Sequence, residues 1–283
     1  MSAASNTRSL MQSLQCQLTQ IDTHLTKLRM ELNSSKTFFM IFRSSSNDNG
    51  LTLQLRDSSV KQCDSFKYLG MHIDNDLTWK THVGMLTRKV QKILYVLHRC
   101  SGKSNNNRRI LLFRSYVYPH FLYGIQLYMF CSVSLRAKLE ALFRRCCRLA
   151  TRDLDGKDGA LTFRLLNVLP LRLTFQYSSA VMLYSVLVLK QIPALSSLFT
   201  IIAPTNYNAR LIREEFITLR LPAVKLESSR HGFAYWGAKL WNSIPAPMRS
   251  CNSLGTFSEL YHDYLVSRLS DVSNDHYDLL DFV

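Results

Sequence analysis

The residues best able to do chemistry in this 283-residue chain are lysines and arginines crowded into one stretch. Between Lys80 and Ala150 there are 14 basic residues and one acid, Glu140, so this stretch carries +13 of the net charge of +15. Such a density of charge favours phosphate-rich partners, which Lys and Arg bind through charge-assisted hydrogen bonds. A charge run also forms an ordinary solvated face, but +13 over 71 residues exceeds what solubility requires. The candidate nucleic-acid-binding residues are Arg88, Lys89, Lys92, Arg99, Arg108, Arg109, Arg144, Arg145 and Arg148.

Metal-binding and nucleophilic sites have no comparable signal in the sequence. Asp74 and Asp76 could hold a metal ion, but they lie in an Asp-Asn-Asp turn, where these residue types are favoured for backbone geometry alone. The histidines from 72 to 231 show no four-residue spacing with one another or with a cysteine. Cys146 and Cys147, as neighbours on a helix, would point in different directions. We therefore predict no catalytic residue, no metal site and no cofactor.

The cysteines and the apolar segments indicate a cellular compartment. The seven cysteines are odd in number and include no CxxC pair, a pattern typical of free thiols in a reducing compartment. The first ten residues contain no apolar run, and the most apolar stretch, 180–189, is too short to span a bilayer. We expect a cytoplasmic or nuclear protein with no signal peptide and no membrane partner.

Before the basic stretch, the sequence predicts one helix and three β-prone runs. Apolar residues that alternate steps of four and three, from Leu14 to Leu32, predict an amphipathic helix. The β-prone runs lie at Thr37–Arg43, Leu51–Leu55 and Phe66–Ile73, with a polar loop at 44–50. We expect these runs to form one small antiparallel sheet covered by the first helix.

After Asp76 the apolar period changes from 2 to 3.6, which predicts helices. Three are expected, over 83–97, over Arg108–Tyr118 with an end before Pro119, and over 135–149. At 100° per residue, Arg88, Lys92 and Arg99 fall opposite the apolar stripe of the first of these helices. The candidate binding residues therefore belong to helix faces.

The remaining chain is predicted to be largely helical. A loop at 155–159 indicates a boundary, 163–189 is apolar and helical in pattern, and 230–269 contains an aromatic, turn-rich segment before a final helix. Trp236 and Trp241 are expected to anchor a small core. The predicted fold class is α+β, mainly α: a small antiparallel sheet followed by two helical regions.

Four segments carry motifs in a defined order along the chain. They are LNSSKT at Leu32–Thr37 before FFMIF, FKYLG at Phe66–Gly70, RSYVYPHFLYGIQLY at Arg114–Tyr128, and YWGAKLWNSIP at Tyr235–Pro245. The ordered set resembles the reverse transcriptases of non-LTR, jockey-like (LINE-type) retrotransposons, with Tyr128 in a place where the thumb pattern of that family usually has Trp. This resemblance covers most of the chain.

The resemblance implies a domain organisation and a further candidate site. Residues 1–79 would be the residual palm, 80–154 a basic helical thumb-like region, 155–270 a C-terminal helical region and 271–283 an acidic flexible tail. Lys67, Tyr68, Leu69 and Gly70 resemble the primer grip, in which a turn supports the 3′ end of the primer. An ordinary strand that ends at a glycine explains the same residues equally well.

The catalytic aromatic-Ala-Asp-Asp turn of that family lies shortly upstream of the LNSSKT element, and no Asp-Asp pair occurs in the 31 residues before it here. Such a pair holds the divalent ions of nucleotidyl transfer. We therefore expect a truncated chain that binds RNA or an RNA–DNA hybrid with low sequence specificity and does not polymerise. Mg²⁺ is expected only for the intact polymerase of the family, whose missing half a second polypeptide could supply.

Two other interpretations stay open at this point. The chain could be a domesticated or decayed helical protein-interaction module without nucleic-acid binding. Alternatively, its strands could lack the palm strands with which they would pair, which would leave an unsatisfied, aggregation-prone edge and an unstable fold.

Overall fold

The computed structural model describes residues 3–42, 50–101, 105–152, 159–202, 217–223 and 232–271. Lys103, His231, the predicted loop at 44–49, the predicted boundary at 155–158 and the predicted tail from 272 onward lie outside these ranges. The described residues are mostly helical, with short antiparallel strands. The predicted fold class, α+β and mainly α, is confirmed. Two compact units divide the chain, Met1–His82 and Val83–Val283.

In the first unit, a long helix covers a two-stranded hairpin. Helix α1 (Ala3–Lys27) packs on strand β1 (Thr52–Leu55), which pairs antiparallel with β2 (Ser58–Lys61). Alternation along the strands turns one apolar side of the hairpin toward the helix. The buried core residues are Phe39, Ile41, Leu53, Leu55 and Val60, with Met11, Leu14, Leu18, Leu32 and Leu51 packed against them.

Helix α1 ends earlier than its apolar stripe predicted, although it also begins earlier, at Ala3. It ends at Lys27, because Arg29 adopts a left-handed φ of 56° and the N–H of Met30 bonds back to the carbonyl of Leu25 at 2.9 Å. Leu28 is 54 % exposed, whereas Leu32 reaches the same core from beyond the helix. The predicted continuation of the helix to Leu32 is therefore wrong.

An amide from α1 pairs with the backbone of β1. Gln15 Nε2 donates to the carbonyl of Gln54 at 2.8 Å, and the N–H of Gln54 donates to Gln15 Oε1 at 2.8 Å. The side-chain amide thus makes the two hydrogen bonds that a residue of a neighbouring strand would make. It pairs the backbone N–H and carbonyl of Gln54 on the edge of β1, an edge that was expected to lack a partner.

The single predicted sheet is wrong, because the strands form two separate hairpins. The run 66–73 folds back on itself as β3 (Ser65–Tyr68) and β4 (Met71–Asp74). Leu69 and Gly70 between them have φ of 47° and 85°, the signs that a tight two-residue hairpin turn requires. In the described part of the run 37–43, which ends at residue 42, the strand pairing is limited to an isolated bridge between Phe39 and Gln62. Strand β2 was not predicted.

Helices account for most of the second unit. Their bounds are α2 (Lys80–Ser101), which begins in the first unit, α3 (Asn106–Leu112), α4 (Tyr118–Leu122), α5 (Val133–Thr151), α6 (Gly159–Leu166), α7 (Leu171–Leu187), α8 (Pro193–Ser196), α9 (Phe233–Ser243), α10 (Ala246–Arg249) and α11 (Leu254–Ser267). Short 3₁₀ turns lie at Ser34–Lys36, Ile125–Phe130 and Arg268–Asp271.

The helical path does not end before Pro119, contrary to the prediction. A π-helical turn, Phe113–Val117, joins α3 directly to α4, and the N–H of Tyr118 bonds to the carbonyl of Phe113. Pro119 lies in the first turn of α4, where the missing N–H of proline costs no helical hydrogen bond. The wide π turn lets the chain remain helical through the proline.

Two aromatic clusters lie in the core of the second unit. Phe143 of α5 is fully buried and contacts the rings of Phe113, Phe121 and Phe163. The second cluster joins α7, α9 and α11 through Tyr184, Trp241, Phe257 and Tyr261. Trp236 of α9 is also buried, and its ring contacts Phe175 of α7 instead. The predicted core role of the two tryptophans is confirmed, although the segment that carries them is a helix rather than turn-rich.

An extended segment, 217–220, lies between a second extended segment and α9. Its backbone pairs with Thr200 and Ile202 on one side, through N–H···O bonds of 2.8 and 2.9 Å. On the other side, the amide of Asn242 accepts the N–H of Leu219 at 3.0 Å and donates to its carbonyl at 2.8 Å. Since Leu219 is 1 % exposed, this pairing satisfies buried backbone groups.

Candidate nucleic-acid interface

Helix α2 presents a basic face opposite a buried apolar face. Of the apolar stripe that the 3.6-residue period predicted, Val83 and Val90 are buried and the other members are half-buried; Leu94, beside the stripe, is buried as well. Four candidate residues of the same helix are exposed, namely Arg88, Lys89, Lys92 and Arg99. Among the described residues, none of these four forms an ion pair with a carboxylate. Their charges are therefore available to a partner.

Tyr95 lies within this basic face, and its functional potential was missed by sequence reasoning. It is 62 % exposed, and Nη1 of Arg99 donates to its hydroxyl at 2.9 Å. The signal that could have found it is its spacing from Arg88, Lys92 and Arg99, which places all four residues on one side of a helix. An exposed aromatic ring among cations is a feature of surfaces that bind single-stranded nucleic acid.

At the start of α3, the two adjacent candidate arginines have opposite environments. Arg108 is exposed, and its N–H is capped by Asn105 Oδ1 at 3.0 Å. Arg109 is 4 % exposed, and its guanidinium donates to the carbonyl of Ala150 at 3.3 Å and to Asn106 Oδ1. The prediction that Arg109 contacts nucleic acid is wrong for this conformation, because its charged group is committed to holding α3 against the end of α5.

Helix α5 adds a second group of cations. Arg145 and Arg148 are exposed and Arg144 is half-buried. Together with Ala141 and Leu149 they line a surface depression. Within the described residues, neither Arg145 nor Arg148 has a carboxylate partner. The depression is therefore strongly positive.

A small cavity lies between α2, α3 and α5. It measures about 30 Å³ and is lined mainly by apolar side chains of α2, α3 and α5, including Leu94, Leu97, Leu112 and Leu149. Leu149 also lines the arginine depression on α5. The cavity is large enough for little more than a water molecule, so we interpret it as imperfect packing rather than as a ligand site.

The predicted primer-grip residues form the tip of the β3–β4 hairpin in the first unit. Lys67 lies opposite His72 in the register, and Tyr68 lies opposite Met71. Tyr68 and Leu69 are 56 % and 69 % exposed. The backbone conformation of the turn accounts for a glycine at position 70, because a φ of 85° favours glycine whether or not the hairpin binds a primer.

The carboxylates near this hairpin have contacts typical of a turn. Asp74 is buried, its side chain accepts the hydroxyl of Thr78 at 3.3 Å, and its carbonyl accepts the N–H of Leu77 at 2.9 Å. His82 Nδ1 accepts the N–H of His72 at 3.4 Å. Burial, helped by the nearby His72 and opposed by Asp74, lowers the pKa of His82. Across the described ranges, no group of three His, Cys, Asp or Glu residues is arranged to hold a metal ion.

The adjacent cysteines of α5 are part of the core. Cys146 and Cys147 are both buried. Burial raises the pKa of the Cys146 thiol to about 12 and raises that of Cys147 as well. Because the thiolate is the nucleophile and the metal ligand, these environments disfavour both roles.

Comparisons with protein-family models, with curated proteins and with solved structures give no match for this chain. None of the helices in the described ranges combines the length and the apolarity needed to cross a bilayer. The site is therefore interpreted from its own chemistry: two exposed groups of cations on α2 and α5, with one exposed tyrosine among them.

Proposed function

We propose that this protein binds RNA or an RNA–DNA hybrid through the phosphate backbone, using the exposed basic faces of α2 and α5. The observation that carries the proposal is the exposure of Arg88, Lys92, Arg145 and Arg148 without a carboxylate partner among the described residues. The cost of keeping like charges close together is offset when a polyanion binds. The resemblance to retrotransposon reverse transcriptases supports RNA or a hybrid as the partner, with low sequence specificity.

Phosphate contacts position a nucleic acid without reading its sequence. The proposed interface offers Lys and Arg side chains on helix faces, which suits this kind of contact. In this proposal the chain binds nucleic acid and lacks polymerase activity of its own. A primer-extension assay with Mg²⁺ tests that second part, and efficient extension would overturn it.

The salt dependence of binding tests the first part. Affinity for a labelled RNA–DNA hybrid is measured between 50 and 200 mM salt. Four phosphate contacts would lower the association constant by about 150-fold over this range, because each neutralised phosphate releases condensed counterions. An affinity that is absent at low salt, or that does not respond to salt, would refute the proposal.

Charge reversal locates the interface. The quadruple variant R88E/K92E/R145E/R148E is compared with R8E/K27E/K36E/K61E, which changes the net charge equally at exposed positions of the first unit. We expect the first variant to lose binding to the hybrid and the second to retain most of it. Equal losses would indicate an unspecific effect of net charge. Full retention by both would favour the interpretation as a protein-interaction module.

A further inference from the structure

The exposed side of α2 carries an aromatic residue within a row of cations. At 100° per residue, Arg88, Lys92, Tyr95 and Arg99 fall within about 60° of one another on the helix surface. This row lies opposite the buried residues Val90 and Leu94. The row therefore faces away from the core of its own unit.

The ring of Tyr95 is held at one end and open over most of its surface. Arg99 Nη1 donates to the hydroxyl at 2.9 Å, and the guanidinium carbon lies 5.7 Å from the ring centroid. These two distances together place the guanidinium near the hydroxyl end of the ring. With 62 % of the residue exposed, the ring has apolar area that a planar partner could cover.

We propose that Tyr95 stacks on an unpaired base, so that α2 prefers a single-stranded segment over a duplex. This inference rests on the proposed nucleic-acid binding and adds to it the kind of strand that α2 recognises. Lys92 and Arg99 are about 10 Å apart along the helix and flank the ring, which places phosphate contacts on both sides of a stacked base. A duplex keeps its bases inside and offers this ring only the sugar–phosphate backbone.

Charge supports a nucleic acid over a protein as the occupant of this row. A protein partner would have to bring carboxylates to three cations and an apolar group to the ring. A single strand supplies phosphates and bases in alternation along one chain. Stacking on an aromatic side chain is tolerant of base type, so this contact also agrees with low sequence specificity.

The test compares wild type with Y95A, Y95F and V96A. Val96 is 57 % exposed on the same helix and controls for a general loss of apolar surface. The ligands are a single-stranded RNA, an RNA–DNA hybrid and an abasic oligonucleotide, all of one length and at 50 mM salt. Alanine has a higher helix propensity than tyrosine, so Y95A preserves α2.

We expect Y95A to weaken binding of the single strand by about 5-fold to 150-fold and binding of the hybrid by less than about twofold. Y95F keeps the ring and should retain most of the single-strand binding that Y95A loses, whereas V96A keeps the tyrosine and should bind like wild type. Wild type and Y95A should bind the abasic oligonucleotide equally. Equal losses on single strand and hybrid, or no loss on either, would overturn the role of Tyr95. If no ligand binds wild type, the proposed function itself fails, and this inference falls with it.

Discussion

Glu140 accepts a hydrogen bond from the hydroxyl of Tyr128 at 2.9 Å. The same carboxylate oxygen accepts the N–H of Arg172 at 2.9 Å, in the first turn of α7. Glu140 is the one acid between Lys80 and Ala150, and it is 4 % exposed. Glu140 therefore joins three elements of the core: α5, the 3₁₀ turn at Ile125–Phe130 and α7.

This arrangement predicts a pH dependence of stability. Burial raises the pKa of Glu140, so the folded state favours the protonated form. The stability from this group is fully present below the ordinary carboxyl pKa of about 4.3 and is lost as pH rises through the raised value. We expect wild type to lose stability relative to E140Q over that window, as measured by urea unfolding at a series of pH values.

The variant E140A provides the matching control for the hydrogen bonds. It removes the acceptor and leaves the hydroxyl of Tyr128 and the N–H of Arg172 unsatisfied, at a cost of about 1–3 kcal/mol of unfolding free energy. A stability difference between wild type and E140Q that is constant with pH would contradict a raised pKa of Glu140 in the folded state.

Substitutions of the neighbours Arg108 and Arg109 should have different effects, one on nucleic-acid binding and the other on stability. R109A removes the buried donor to the carbonyl of Ala150 and should lower the free energy of unfolding by about 1–3 kcal/mol. R108A changes an exposed side chain and should alter stability by less than about 0.5 kcal/mol while it weakens nucleic-acid binding. Chemical denaturation and hybrid binding of both variants check this, and the reverse pattern would show that the two roles are exchanged.

The stability of the β3–β4 hairpin should depend on the residue type at position 69. Leu69 is exposed and adopts a φ of 47°, a conformation that costs leucine more than asparagine. We expect L69N to stabilise the hairpin by about 0.5–1 kcal/mol, seen as slower amide hydrogen exchange in β3 and β4. G70A, at a φ of 85°, should have the opposite effect. Faster exchange in L69N would contradict this turn geometry.

The pairing of Asn242 with Leu219 should contribute to the stability of the second unit. N242A removes the side-chain amide that hydrogen-bonds both the N–H and the carbonyl of Leu219. The expected loss is about 1–3 kcal/mol of unfolding free energy. The exposed Asn252 gives a matched control, since N252A should change stability by less than about 0.5 kcal/mol. Equal stability of the two variants would indicate that the extended segment is held by other contacts.

Local sequence patterns predicted the helices well and the strands poorly. The buried and basic faces of α2 followed from spacing alone, because a helix repeats its own surface every few residues. The run 66–73 was predicted as one strand, since its β-prone residues continue through the turn at Leu69 and Gly70. The predicted helix end before Pro119 was wrong because a π-helical turn precedes the proline and places it in the first turn of α4.

The sequence by itself determined where the positive charge is concentrated and which side of α2 carries it. Only the tertiary structure decided that Arg109 and Glu140 are buried, that Arg108 and Arg145 are exposed, and that Tyr95 stands open among cations. The physical reason is that burial depends on elements far apart in the chain. Ala150 accepts from Arg109 across 41 positions, and Arg172 donates to Glu140 across 32. A local pattern contains no information about such partners.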